Sequence, residues 1–166
     1  MLSIINFLLI LSTLAATSNA TLIKPLTRTP LRPFSVNQNY TTDYSFSFYI
    51  PSAIPFKAFI EVEFPLPYQI PSACKASLRG PTGPFTQYSC EKDSPSTYLI
   101  DIGQILPGNY ELVLSDIKNP VAYPASTNLK IRTFFNKDIL VDANEYFDAV
   151  PFLDTPGKTI PHELFP

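Results

Sequence analysis

The chain has very little of the chemistry that most catalytic and metal sites need. Its 166 residues include one histidine, two cysteines, five glycines and no tryptophan. A catalytic triad needs a histidine base beside a nucleophile, and the sole histidine, His162, lies in a Pro-flanked tail. Tetrahedral zinc needs more N and S donors than these residues supply. We therefore expect no enzyme activity, no metal centre and no cofactor.

Strong charge of either sign is also missing. The chain carries 12 Lys and Arg residues against 14 Asp and Glu residues, for a net charge of −2 at pH 7. Binding to nucleic acid or to an anionic membrane needs a basic patch, which a nearly neutral chain does not favour. We expect no nucleic-acid partner.

The first twenty residues are typical of an export signal. Residues 2–17 contain no charged side chain, and the apolar centre at 4–14 is shorter than the ~20 residues that span a bilayer. Ser18 and Ala20 place small residues at the −3 and −1 positions of a cleavage site. The pattern predicts a signal peptide, a mature N-terminus at Thr21 and a secreted, extracellular or cell-surface product. No second apolar run of membrane length follows, so no transmembrane span is expected.

Aromatic residues and proline are abundant. Thirteen Phe, nine Tyr and 18 Pro favour strands and turns over helices. Short segments with an apolar–polar alternation of period two each predict a half-buried strand. These segments are 45–50, 58–64, 74–78, 85–90, 98–102, 109–114, 128–134 and 139–141. Together they predict an all-β fold, an antiparallel sandwich of about 7–9 strands with little helix.

The composition divides the chain into four parts. We predict a signal peptide at 1–20, a Pro-rich extended arm at 21–40, a β-sandwich domain at 41–146 and a Pro-rich C-terminal tail at 147–166. Two interpretations of the arm are open. A stiff apolar arm is suited to docking on a larger protein, and it is equally suited to covering an edge strand of its own sheet.

The two cysteines predict a disulfide. In an oxidising compartment Cys74 and Cys90 are most simply joined, and Gly-Pro dipeptides between them mark a turn. We expect the bond to clip together two neighbouring strands, 74–78 and 85–90.

Three weaker candidates for sites remain. Glu61 and Glu63 lie on one face of a strand, and a glycosidase needs only two such carboxylates, but their alternation with core residues predicts ordinary water-facing charges. Asn39 begins a glycosylation sequon, Asn-Tyr-Thr. An acidic stretch of hard oxygen donors is a weak Ca²⁺ candidate, and a solvated edge after the last strand is the alternative. Its members are Asp138, Asp142, Glu145 and Asp148.

One region resembles a known family. An apolar strand leads into Ile117-Lys118-Asn119-Pro120, Thr127 opens the next strand, and Ile131-Arg132-Thr133-Phe134 and Val141-Asp142 follow. Upstream stand two cysteines around a hairpin and then Pro107-Gly108-Asn109-Tyr110. This pattern, over about residues 58–144, looks like the immunoglobulin-like β-sandwich modules of large secreted or surface-anchored ciliate proteins. The resemblance implies an immunoglobulin-like fold in an extracellular setting and no activity.

Two functions fit these observations. The first is a non-enzymatic module for protein–protein recognition or assembly at the cell surface or in the extracellular matrix, with a larger extracellular or surface protein as its partner. The alternative is a carrier that holds a small hydrophobic or lipid ligand between its two sheets. A module should show a filled core and an exposed aromatic or apolar patch, whereas a carrier should show a deep apolar cavity.

Overall fold

The computed structural model describes residues 20–26, 31–33, 38–121 and 128–147, with the backbone alone at 31–33. The predicted signal peptide up to residue 19, His162 and Asp148 lie outside these residues. All regular structure in the described part is β, and it contains no helix that could cross a membrane. The strands are β1 (Thr21–Leu22), β2 (Lys24–Pro25), β3 (Leu31–Pro33), β4 (Thr41–Ile50), β5 (Ile54–Glu63), β6 (Ala76–Arg79), β7 (Thr86–Tyr88), β8 (Cys90–Ser94), β9 (Thr97–Ile105), β10 (Gly108–Lys118), β11 (Leu129–Phe135) and β12 (Ile139–Phe147).

The strands form two sheets packed face to face. The first sheet has the order β1-β12-β11-β5-β9-β8. The second has the order β2-β4-β10-β6-β7, and β3 also pairs with β4. Among these described strands every pairing is antiparallel except that of β1 with β12. The predicted all-β antiparallel sandwich is confirmed, with nine strands after residue 40 and three short strands before it.

The core forms where the inward faces of the two sheets meet. In β4 and β5 alternate residues are fully buried, and in β10 Leu112 and Leu114 are buried beside Phe46 and Tyr44 of β4 in the same sheet. The predicted inward faces of β4, β5, β9, β10 and β11 are therefore confirmed. Aromatic rings meet edge to face, as Phe46 does with Phe64 at a centroid distance of 6.0 Å, an arrangement that suits their quadrupoles.

The last strand is longer than the sequence predicted. We expected a strand at 139–141 and a solvated acidic edge after it, whereas β12 continues to Phe147. Asp142 and Asn144 occupy inward positions, with 0% and 7% of their surfaces exposed, while Ile139 is 55% exposed. The strand was underestimated because its inward residues are polar and its first apolar residue faces solvent.

The disulfide between Cys74 and Cys90 is confirmed, but its place in the fold differs from the expectation. The two Cα atoms are 5.6 Å apart. Cys74 precedes β6 in the second sheet, and Cys90 begins β8 in the first sheet. The bond therefore ties the two sheets together at the base of the β6–β7 hairpin, because the chain changes sheet between β7 and β8.

The double variant Cys74→Ser, Cys90→Ser should have a free energy of unfolding about 3 kcal/mol lower than the wild-type protein. This is the loss that the chain-entropy model gives for a disulfide that closes a loop of this size. Denaturant unfolding of the two proteins measures the difference. Reduction of the wild-type protein provides the matched control and should cause a similar loss. A change below about 1 kcal/mol would show that the bond constrains little.

The described part of the arm belongs to the sandwich. Strand β1 adds to the edge of the first sheet beside β12, while β2 and β3 run along the free edge of β4 in the second. Between them Ile23 is fully buried, and its backbone N–H donates to the Ala143 carbonyl at 3.1 Å. Of the two interpretations, the described residues show the arm covering its own edges. The described strands of the arm are therefore paired with both sheets of the sandwich.

Candidate recognition surface

Strand register brings four connections to one end of the sandwich. Ile50 pairs with Gly108, Ile54 with Ile105, and Phe135 with Ile139, so their turns are neighbours. The β6–β7 turn lies at the same end because Arg79 pairs with Glu111 near the start of β10. We call this the loop end, formed by residues 51–53, 80–85, 106–107 and 136–138.

Local backbone geometry makes the loop end compact. Asn136 and Lys137 adopt φ values of 54° and 65°, the left-handed conformation that tight hairpins need. Gly108 has a φ of 150°, and a Cβ there would collide with the ring of Pro81. The β6–β7 turn can therefore pack directly against the start of β10. The Tyr110 hydroxyl donates to the Leu106 carbonyl at 2.7 Å and further anchors the β9–β10 turn.

The loop end concentrates exposed apolar surface. Ten large apolar or aromatic side chains are strongly exposed among the described residues, and half of them lie at or beside this end. Phe56 is 56% exposed although one edge of its ring packs against Phe135, at a centroid distance of 5.2 Å. Clustered exposed apolar side chains often mark interaction sites, whereas single ones are ordinary. Phe85 and Leu106 belong to the loop end itself, and Leu26, Phe56 and Ile139 lie beside it.

Two cations accompany the aromatic rings. The guanidinium of Arg79 lies 5.0 Å from the centroid of Phe85, and the Lys137 ammonium lies 5.2 Å from that of Phe59. Lys137 also donates to Glu91 Oε1 at 2.5 Å, and this hydrogen bond raises the pKa of Lys137. Aromatic residues with arginine are the side chains that most often dominate binding energy at protein interfaces.

An open cleft of about 300 Å³ lies between the sheets at the loop end. Leu78, Ile102 and Tyr110 form its nearly buried floor, and the polar Thr82 and Gln104 stand among its lining residues. Elsewhere in the described sandwich a continuous cluster of buried side chains occupies the space between the sheets. A cleft of this size is at the lower limit of ligand sites.

The outer face of the first sheet holds an ion-pair network. The guanidinium of Arg132 donates to both oxygens of Glu145, each at 2.6 Å, and to Glu61 Oε1 at 2.5 Å and Glu63 Oε2 at 3.2 Å. Glu61 and Glu63 face outward as predicted, but their side chains are only 17% and 29% exposed. Both carboxylates are paired with a cation, so the expectation of simply water-facing charges was incomplete.

This network should make stability depend on pH in a defined window. The hydrogen bonds from Arg132 lower the pKa of Glu145, so the pair stabilises the fold above the ordinary Glu pKa near ~4.3. That contribution is lost as the pH falls through the lowered pKa of the folded state. We expect Glu145→Gln to cost about 1 kcal/mol at pH 7 and progressively less below pH 4, measured by denaturant unfolding.

The matched control for that variant is Asp116→Asn. It removes an ion pair with Lys75 in which both side chains are about half exposed or more. Exposed pairs of this kind contribute little. An equal pH-dependent loss from both variants would contradict a special role for the Arg132 network.

The three acidic candidates that the structure describes do not converge on one point. Asp142 faces the core and Glu145 faces outward, because an odd separation along a strand places side chains on opposite faces. Asp138 lies in the β11–β12 turn. Within the described ranges no three potential metal ligands come together. Asn39, the sequon residue, is exposed at the start of β4, at the opposite end from the loop end.

The residues of the loop end were missed by the sequence analysis, although a signal exists. Phe56 follows Pro55, Phe85 follows Pro84 and Leu106 precedes Pro107. A large apolar residue next to a turn proline has few routes to a core, since turns lie on the surface. That combination marks an exposed apolar residue more specifically than composition does.

The search for relatives gives no family. No protein-family model matches the chain, and no curated protein is significantly similar to it. The immunoglobulin-like character and the likeness to ciliate surface modules therefore stay predictions.

Proposed function

We propose that this protein is a secreted, non-enzymatic recognition module that binds a larger extracellular or surface protein through its loop end. The observation that carries the proposal is the gathering of exposed apolar side chains at that end. Phe85 and Leu106 lie there with Leu26, Phe56 and Ile139 beside them, whereas the interior between the sheets is packed away from the cleft. A packed core with an exposed aromatic patch is what a module requires.

The geometry of the loop end suits binding. Its turns are short and are held by paired strands, so ordering them on a partner costs little conformational entropy. Arg79 and Lys137 place cations among the aromatic rings. A glycan on Asn39 would project from the opposite end and leave the loop end free.

The carrier alternative has one observation in its favour, the cleft floored by Leu78, Ile102 and Tyr110. Its volume of about 300 Å³ suits a small ligand only. An organic extract of the purified native protein, analysed by mass spectrometry, tests this directly. A stoichiometric apolar compound would favour the carrier.

The recognition function is tested by removing apolar surface from the loop end alone. The variant carries Phe56→Ser, Phe85→Ser and Leu106→Ser. Its matched control carries Tyr40→Ser, Leu66→Ser and Val121→Ser, at positions of comparable or greater exposure at or near the opposite end. Each protein is immobilised and exposed to extracellular material from the native source. Bound proteins are then identified and their affinities measured.

We expect a partner that the wild-type protein and the control retain and that the loop-end variant loses. Truncation of interface anchors costs about 2 kcal/mol or more each, so the affinity should fall at least ~30-fold. Melting curves verify that all three proteins remain folded. Equal retention by the loop-end variant would refute the proposed surface.

A further inference from the structure

Asp142 is a buried carboxylate in the middle of β12. No part of the residue is exposed, and its side chain points between the sheets. Its Oδ1 accepts a hydrogen bond from the Ser52 hydroxyl at 2.6 Å, and its Oδ2 accepts one from the Thr133 hydroxyl at 3.3 Å. A carboxylate offers about four acceptor positions, so two positions are still available.

No cation of the described residues is paired with this carboxylate. The ion pairs there join other acidic residues to Lys75, Arg79, Lys130, Arg132 and Lys137. Of the charged residues that flank Asp142 in the paired strands, Arg132 on β11 and Glu145 on β12 point to the outer face and pair with each other. Burying a carboxylate with two neutral donors and no cation is costly. Asp142 therefore calls for a positive partner.

The register of β1 identifies a candidate for this positive partner. Thr21 is the direct neighbour of Asp142 in the parallel pair of β1 with β12. Neighbouring strands lie ~4.8 Å apart, so the backbone of Thr21 lies next to the backbone of Asp142. Two residues further on, the inward side chain of Asn144 reaches the backbone of the arm, because its Nδ2 donates to the Ile23 carbonyl at 2.9 Å. Both inward polar residues of β12 thus lie beside the arm.

Thr21 is also the residue that follows the predicted cleavage site. We propose that removal of the signal peptide creates, at the α-nitrogen of Thr21, the ammonium group that pairs with buried Asp142 and locks the arm onto the sandwich. Cleavage would then complete the fold as well as free the mature chain from its signal peptide.

The chemistry of this step is an ordinary hydrolysis. Water cleaves the amide between Ala20 and Thr21, the carbonyl carbon of Ala20 gains the oxygen, and the nitrogen of Thr21 becomes the leaving amine. At neutral pH the new carboxylic acid is ionised and the amine is protonated, so the Thr21 nitrogen changes from a neutral amide to a cation. An uncleaved or N-terminally blocked chain keeps the neutral amide and lacks the charge.

The test is a cycle of two changes in the purified mature chain. One change is acetylation of the Thr21 amine, which restores an amide without adding a residue. The other is Asp142→Asn, which keeps the shape of the side chain and removes its charge. Melting temperatures are measured for all four combinations, and N-terminal sequencing first verifies that the secreted chain begins at Thr21.

Acetylation is expected to lower the melting temperature of the wild-type chain by roughly 5–10 °C and that of the Asp142→Asn chain by no more than about 2 °C. Equal losses in the two backgrounds would overturn the proposal. If the Asp142→Asn chain fails to fold, the α-amino pKa of the wild-type chain, measured by NMR after labelling of the amine, decides. A value above about 9 supports the pair, and a value in the ordinary range near ~8 overturns it.

Discussion

Deleting residues 21–37 should lower the melting temperature by roughly 10 °C or more and promote aggregation. The deletion removes Ile23, which is fully buried, together with the strands that cover the free edges of β4 and β12. Loss of a buried Ile side chain alone costs about 2–5 kcal/mol, and each kcal/mol corresponds to roughly 3–4 °C in a domain of this size. Calorimetry and light scattering measure the two effects.

Single substitutions in the arm separate packing from edge protection. Ile23→Ala should reproduce most of the thermal loss, whereas Leu22→Ala, at a position that is 56% exposed, should change little. The full deletion alone should expose the edge of β4 to another chain and so cause aggregation. A deletion that left the melting temperature unchanged would mean that the arm is only loosely attached and is available for docking elsewhere.

Leu112→Ala should cost about 2–5 kcal/mol in the free energy of unfolding, because the lost transfer energy adds to that of a cavity which paired strands cannot collapse. Leu112 is fully buried in β10, where it pairs with Phe46 on one side and Leu78 on the other. Denaturant unfolding with an unchanged m-value measures this loss.

The matched control is Val113→Ala on the same strand. Val113 points outward and is half-buried, so its truncation should cost about 1 kcal/mol or less. Glu111→Ala is a less neutral control than the alternation suggests, because Glu111 pairs with Arg79 and accepts a hydrogen bond from Ser45 at 3.1 Å. Equal losses at Leu112 and Val113 would show that the assigned faces of β10 are wrong.

The sequence predicted these faces because the alternation in β10 is simple. Tyr110, Leu112 and Leu114 are apolar and buried, and the residues between them are polar or partly exposed. It failed at β12, where Asp142 and Asn144 take inward positions that apolar residues normally occupy. A local pattern cannot reveal that a polar side chain will meet Ser52, Thr133 or the arm, since those partners are distant in the chain.

By itself the sequence determined the β class, the inward faces of five strands and the pairing of Cys74 with Cys90, because period-two burial and a lone cysteine pair are local or nearly local signals. The tertiary structure alone decided which connections meet at the loop end and that the disulfide joins the two sheets. It also decided that Arg132 binds three carboxylates and that the arm covers the edges of its own sandwich. Each of these depends on strand order and register, which arise from long-range pairing that no local pattern of residues encodes.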